Sequence, residues 1–396
     1  MTNRLNERGA DARWGPVMPQ GMEKIRRMGR LRRVTGRAGT RLRMAFLFFA
    51  AGTSLLAAEE HVSPWDWSAT LRSGAGYKDN VLLSQFFKES SVFTFAEAEA
   101  FLFRIPLDGW EFTGVFTGED RRYWQSPSVD KEQLILVGAE VKKAFADRWK
   151  AGFAGQYFYN DQVFDASVAE GLPVRIPAKL QRFSGGPLLE YDLHNDRRLE
   201  LRFALIRQNF ELPIDSSWEL GPRLTFAQKY GAAHSEFTAT VQWRRRSYDR
   251  RAAPGTDTKT LAYNDPEFEL GIKHYWDDER HWKSRGRAGI EFNEDNGDGF
   301  FNYRRWKISH ELDFTQGGFE GILETKFLHY EYTHQFAPDG HARRRTELLF
   351  GGRIRKEVVE HVSLFLQGEH EWVLATDFEE RYHATTIWGG IEWEIK

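Results

Sequence analysis

The chain has 396 residues, no cysteine, 41% hydrophobic against 28% charged residues, and a mean hydropathy of -0.58. The missing cysteines exclude a disulfide scaffold, a thiol nucleophile and Cys-based zinc or iron–sulfur sites, and no stretch reaches the roughly 18 apolar residues of a membrane-spanning helix. With 14 Trp, 13 Tyr, 31 Phe and 35 Gly against only 13 Pro, the composition suits a β-protein that carries an apolar residue at every second position.

Taken in chain order, the first feature is a leader. Residues 1–44 carry 12 Lys/Arg and 3 Asp/Glu, and residues 45–58 (AFLFFAAGTSLLAA) carry no charge. A basic region, a short apolar block and terminal small residues describe a secretory signal peptide, with cleavage expected after Ala58. Met22, Met28 and Met44 are alternative starts. The domain division expected is therefore 1–58 as leader, with its h-region at 45–58, and 59–396 as a single barrel domain. The remainder holds 43 Lys/Arg against 54 Asp/Glu, an acidic balance that argues against nucleic acid as a partner.

Past residue 63 the dominant period is two. Leu199, Leu201 and Phe203 alternate with Glu200 and Arg202; Trp306, Ile308, His310, Leu312 and Phe314 alternate with Arg305, Lys307, Ser309, Glu311 and Asp313. Successive strand side chains point to opposite faces, so these are strands with one greasy and one charged face. Sixteen such segments lie along the chain, near 66–79, 91–104, 109–120, 131–145, 148–160, 177–193, 198–210, 217–229, 235–249, 261–276, 283–294, 302–314, 318–333, 343–356, 360–373 and 384–396. The connections after even segments are mostly short, as at 105–108, 146–147, 194–197, 316–317 and 357–359. Those after odd segments are longer, as at 80–90, 121–130, 161–176, 250–260, 334–342 and 374–383.

Short turns at one end and long loops at the other predict an all-β, closed, antiparallel up-and-down transmembrane β-barrel of about 16 strands, with 14 or 18 as fallbacks. In lipid only helices and closed barrels satisfy their own backbone, and helices are excluded. The greasy face then meets lipid and the charged face lines the lumen. Trp65, Trp67, Trp110, Trp124, Trp149, Trp218, Tyr230, Tyr275, Trp276, Trp282, Tyr303, Tyr330, Tyr332 and Trp372 fall near segment ends, as interfacial girdles require. The localisation expected is the outer membrane of a Gram-negative bacterium.

The opening strand reads Gly74-Ala75-Gly76-Tyr77-Lys78-Asp79-Asn80-Val81. It resembles the GYxDNV-type first hairpin of outer-membrane β-barrel porin families of Gram-negative bacteria, and is similar to the barrel half of surface lipoprotein assembly modifiers. Those modifiers carry a helical-repeat domain ahead of the barrel, for which 59 to the first strand leaves no room. The resemblance implies passive diffusion of solutes, with the barrel-assembly machinery as a partner. Members of such families end on an aromatic residue; here the end is Trp393-Glu394-Ile395-Lys396, with Trp393 the candidate in its place.

The pore-lining candidates are Arg202, Arg223, Arg244, Arg246, Glu267, Glu269, Lys273, Arg305, Lys307, Glu311, Arg353 and Arg355. Charges of both signs across a water-filled channel set ion preference; cross-strand pairing that merely fills a polar interior is the alternative. Arg244-Arg245-Arg246, Arg250-Arg251 and Arg343-Arg344-Arg345 lie toward the long loops, where they could meet anionic outer-leaflet lipid and lipopolysaccharide, or remain ordinary loop charge. Asn293–Gly299 (NEDNGDG) is read as a type I′ or bulged turn rather than a calcium loop.

No catalytic motif is present. Ser184-Gly185-Gly186 does not fit G-x-S-x-G, His370-Glu371-Trp372 lacks the second His of a zinc site, and His274, His310 and His329 fall on the outward phase. No enzyme, cofactor or metal is implied. The main reading is a porin-like channel for small polar solutes or ions, with a slight cation preference from the acidic excess. A second is a plugged structural, assembly or surface-anchoring barrel, distinguished by pairing of nearly all lumen charges or by a loop such as 161–176 folding inward. A third is a membrane-embedded hydrolase, distinguished by a Ser–His pair at the outer-leaflet level.

Overall fold

A computed structural model of the protein describes residues 63–165, 175–211, 214–231, 235–256 and 258–395. The leader, with its expected cleavage after Ala58, lies outside them. Sixteen strands follow one another: β1 (Trp65–Lys78), β2 (Ser91–Arg104), β3 (Trp110–Tyr123), β4 (Lys131–Ala146), β5 (Trp149–Asp165), β6 (Arg175–Asp192), β7 (Arg197–Phe210), β8 (Ser217–Tyr230), β9 (Ser235–Ala252), β10 (Thr260–Tyr275), β11 (Trp282–Asp295), β12 (Tyr303–Gln316), β13 (Phe319–Phe336), β14 (Ala342–Val359), β15 (Val362–Ala375) and β16 (Tyr382–Ile395). Every pairing is antiparallel between neighbours in sequence, and β1 pairs β16, so the sheet closes. Closure leaves no edge of unpaired N–H and C=O groups, which is what a hydrocarbon surround demands.

The faces alternate as the period-two pattern predicts. In β7, Leu201, Phe203 and Leu205 point outward and exposed, whereas Glu200, Ile206 and Gln208 point inward and buried. A strand of 14 residues, the shortest here, stands about 35 Å high at a tilt of roughly 40°. That exceeds the apolar band of about 25 Å typical of such barrels, so strand ends reach both interfaces. The outward face is ringed there by Trp65, Trp67, Trp110, Trp149, Trp276 and Trp282 toward the turns, and by Trp124, Trp218, Trp243, Trp306 and Trp372 toward the loops. Four residues expected in these girdles are not in them. Tyr275, Tyr303, Tyr330 and Tyr332 are on the inward phase and buried, and the last three pack edge-to-face or stacked on one another. Position near a strand end did not distinguish the faces; phase did.

Closure rests on a glycine seam. Gly74 of β1 stands opposite Gly390 of β16, and a Cβ at Gly390 would sit 2.1 Å from the Ser73 carbonyl oxygen. The loops are shorter than expected because the strands run on past the membrane: the β13–β14 connection is 337–341 and the β9–β10 connection 253–259. The Asn293–Gly299 segment is corrected likewise. Asn293, Glu294 and Asp295 belong to β11, and the loop is 296–302. It is no two-residue turn. The Asp295 carboxylate accepts from the amides of Gly297, Gly299 and Phe301 at 2.8, 3.0 and 2.7 Å, and Gly299 supplies the single positive φ there, 85°.

Candidate functional site

Every one of the twelve pore-lining candidates falls on the inward phase of its strand. Most are gathered into ionic clusters along the wall. On β9–β12, Glu291 accepts from Arg244 at 3.0 Å and Arg305 at 2.5 Å, while Lys307 is bonded to Glu267. Arg246 reaches Glu219 of β8 at 2.7 Å. Arg202 bridges Glu200 at 2.5 Å and Glu140 of β4 at 2.7 Å, and Lys142 reaches Glu190 at 3.2 Å. Across the seam, Glu392 collects Arg72 and Arg355, each at 2.5 Å, together with Arg353. Glu311 is bonded to Arg285 at 2.5 Å. Lys273 lies with its ammonium 4.9 Å from the Tyr275 ring, and neither Arg223 nor Glu269 has a hydrogen bond or ion pair among the described residues.

Two properties of these clusters bear on passage. The pairs run along the wall, the longer ones, Arg202 to Glu140 and Lys78 to Glu132, joining strands three apart, and one contact departs from this. Water also reaches the wall unevenly. Glu99, Glu320 and Glu324, in the middle and turn half, keep 43%, 33% and 35% of their side-chain surface exposed. Desolvated charges stand at both ends, Glu219, Arg246, Glu291 and Arg305 toward the loops and Glu190, Glu200, Asp313, Arg355 and Glu392 toward the turns.

The exception crosses the barrel. Asp165, the last residue of β5, lies 2.8 Å from Arg345 of β14, a strand on the opposite side of the closed order. Both side chains are fully buried. Arg345 also donates to Glu347 at 2.6 Å and lies 3.6 Å from Glu380, on a short 3-10 turn (Phe378–Glu380) in the last loop. Glu380 in turn holds Arg343. Near this bridge an apolar cluster joins Val81, Leu83 and Val129 of the loops and Val163 of β5 to Phe93, Phe95 and Trp388 of the wall and to Phe365 near the turn end of β15. The mouth is thus narrowed by β5 reaching inward. Asp165 belongs to the 161–176 segment expected to fold inward in a plugged barrel, though as an individual residue neither it nor Glu380 was a candidate.

The arginine runs are resolved by phase. Arg343 and Arg345 point inward and are buried; Arg344 points outward, beside Arg304 and Glu331. Likewise Arg245 is outward and exposed between inward Arg244 and Arg246. These runs are strand residues rather than loop charge.

The outward histidines are bonded to hydroxyls of the neighbouring strand: His274 to Ser235 at 3.2 Å, His310 to Ser284 at 2.8 Å, His329 to Thr346 at 2.9 Å and His370 to Thr385 at 3.0 Å. The repetition with threonine as well as serine marks polar satisfaction of imidazoles on an apolar face. The Ser284–His310 pair lies toward the short turns, and among the described residues no carboxylate bonds its imidazole.

The first two loops are tied by Glu89, whose carboxylate accepts from Ser126 Oγ at 2.6 Å and Ser128 Oγ at 2.5 Å. These bonds hold it below its ordinary value near 4.5. A depressed carboxylate contributes above its unfolded pKa and loses that contribution as pH falls through the lower folded value. Exchange protection of the Ser128 amide is therefore expected to be level between pH 7 and 5 and to fall below about pH 4. Glu89→Gln should remove the dependence; an unchanged profile in that variant would contradict the assignment.

No family model matches the sequence, and no curated protein matches it. Among solved structures it is similar to OccAB4 of Acinetobacter baumannii (10% identity, 85% of this chain and 100% of that one, TM-score 0.47). It is similar to OccAB1 of the same organism (11%, 86% and 99%, TM-score 0.46) and to OccK9 (OpdG) of Pseudomonas aeruginosa (8%, 84% and 98%, TM-score 0.46). The fold assignment stands on the strand order itself.

Proposed function

We propose that the protein is an outer-membrane, porin-like channel of a Gram-negative bacterium, passing small polar solutes or ions through a charged lumen narrowed on its loop side. The observation that carries this reading is the direction of the ion pairs, which follow the wall and leave inward charges such as Glu99, Glu320 and Glu324 partly exposed. Sixteen strands enclose more volume than wall side chains alone fill. In this reading residues 1–58 are the export leader, 59–396 the barrel, and Trp393, outward and exposed, the terminal aromatic presented to the assembly machinery. In this reading the outward Arg344 and Arg304, which lie together, meet lipid or lipopolysaccharide head groups.

Two observations favour the second reading, a plugged barrel that anchors a partner: most lumen candidates are paired, and Asp165, within the 161–176 segment, makes a buried bridge to Arg345 across the mouth. Liposome swelling separates the two readings. Vesicles carrying the protein should swell in isotonic small sugars at rates that fall as the sugar grows; vesicles that behave like protein-free ones would favour the plug.

A further inference from the structure

On the outward face, β11 carries a row of small side chains. Ser284, Gly286 and Ala288 follow Trp282 toward the middle of the membrane. In register with them, His274, Ile272 and Leu270 of β10 stand on one side, and Leu312, His310 and Ile308 of β12 on the other. Small residues between two rows of larger ones make a groove along the strand. A Cβ at Gly286 would meet only Ile272 Cγ2, at 3.3 Å. At its turn end the groove opens into a cleft of about 400 Å³ lined by Trp276, Trp282, Ser284, His310 and Leu312. Trp276 and Trp282 stand in the girdle toward the turns, so the cleft lies in the leaflet on that side, the periplasmic one in barrels of this kind.

Polar atoms enter this cleft at one place. Ser284 Oγ lies 2.8 Å from His310 Nε2, and His310 Nδ1 has no partner among the described residues. With the hydroxyl donating to Nε2, the neutral imidazole carries its proton on Nδ1. Ser284 stands roughly 5 Å, and the register row of His310 roughly 10 Å, deeper than Trp282. That is the boundary between head groups and acyl chains, where an N–H needs an acceptor. Beyond the tryptophans, the turn that joins β10 to β11 sets three acids, Asp277, Asp278 and Glu279, against one arginine and His281. Carboxylate oxygens of Asp277 and Glu279 and a ring nitrogen of His281 lie within 4.8 Å of one another. Asp277 accepts from the Trp282 amide at 2.8 Å, which ties these acids to the cleft wall. Arg280 lies over the ring of inward Tyr275, 5.1 Å from its centre.

We propose that this groove binds one glycerophospholipid of the turn-side leaflet, and that it takes a lipid with an ammonium head group. One acyl chain lies along Gly286 and Ala288. The Nδ1–H of His310 donates to an ester carbonyl, and the ammonium meets Asp277 and Glu279. The same acids disfavour an anionic head group at the mouth of the cleft. The site is on the outer wall, so it is independent of whether the lumen conducts and holds equally for a channel and for a plugged barrel.

The test titrates the purified full protein in detergent with dioleoyl phosphatidylethanolamine, and separately with dioleoyl phosphatidylglycerol, and counts bound lipids by native mass spectrometry. Wild type should retain one ethanolamine lipid, with a half-saturating concentration roughly tenfold below that of the glycerol lipid. His310→Leu should raise that concentration roughly tenfold for both lipids, the worth of one hydrogen bond. Ala288→Phe, at an exposed outward position, fills the groove and should also weaken both. Asp277→Asn combined with Glu279→Gln should erase the difference between the lipids. His329→Leu removes an outward imidazole bonded to Thr346 on another part of the wall and should change nothing. Heat-modifiable gel mobility shows that each variant is folded, and His310→Leu suffices should Ala288→Phe not fold. No saturable retention in wild type, or wild-type retention in folded His310→Leu or Ala288→Phe, would overturn the site. Glycerol lipid held as tightly as ethanolamine lipid by wild type would overturn the assignment of its ligand.

Discussion

Arg345→Gln is expected to destabilise the folded barrel by about 3–5 kcal/mol, the usual cost of removing one member of a buried ionic cluster. Arg345 is fully buried, and its guanidinium serves Asp165, Glu347 and Glu380, so its loss leaves carboxylates desolvated and uncompensated. The bridge also spans the mouth, so the same substitution should enlarge the single-channel current. Asp165→Asn should repeat the second effect at smaller cost, because Glu347 and Glu380 still neutralise the arginine. The double variant should lose less than the sum of the singles, since the two groups share one interaction. Unfolding in denaturant, followed by the heat-modifiable gel shift, reads the stability. A variant as stable as wild type, with unchanged current, would show that the bridge neither holds nor narrows the mouth.

The second large effect is expected at the seam. Gly390→Val should abolish the folded, heat-modifiable form. Its Cβ would meet the Ser73 carbonyl oxygen at 2.1 Å and the Gly74 Cα at 2.8 Å, both backbone, so nothing flexible can move aside. Register between β1 and β16 would fail, and with it the hydrogen bonds that close the barrel. Gly368→Val is the control: on β15 its nearest atoms lie 3.8 and 3.9 Å away, ordinary contact distances. Wild-type yields of folded Gly390→Val would contradict the seam argument.

Much of this architecture is legible in the sequence, for a physical reason. A barrel wall in lipid must place an apolar side chain outward at every second position, so Leu201, Phe203 and Leu205 declare their face without reference to distant strands. The same parity placed all the charged lumen candidates inward. Tyr303, Tyr330 and Tyr332 misled because aromatic character marks an interface only on the outward phase. What could not be read is whatever depends on contacts across the barrel. Asp165 meets Arg345 only because β5 bends over the mouth, and no periodicity encodes which opposite wall a strand end will reach. Arg223 was likewise indistinguishable from Arg202: both are inward arginines on strands, and only the placement of neighbouring carboxylates leaves one paired and the other not.

The account rests most directly on a continuous aqueous path past the narrowed mouth, and single-channel recording of the protein in a planar lipid bilayer tests it. Stable ohmic steps are expected, larger in Asp165→Asn than in wild type. Silence from a barrel shown to be folded by its gel mobility, in wild type and in Asp165→Asn alike, would contradict the channel and leave the plugged, anchoring barrel in its place.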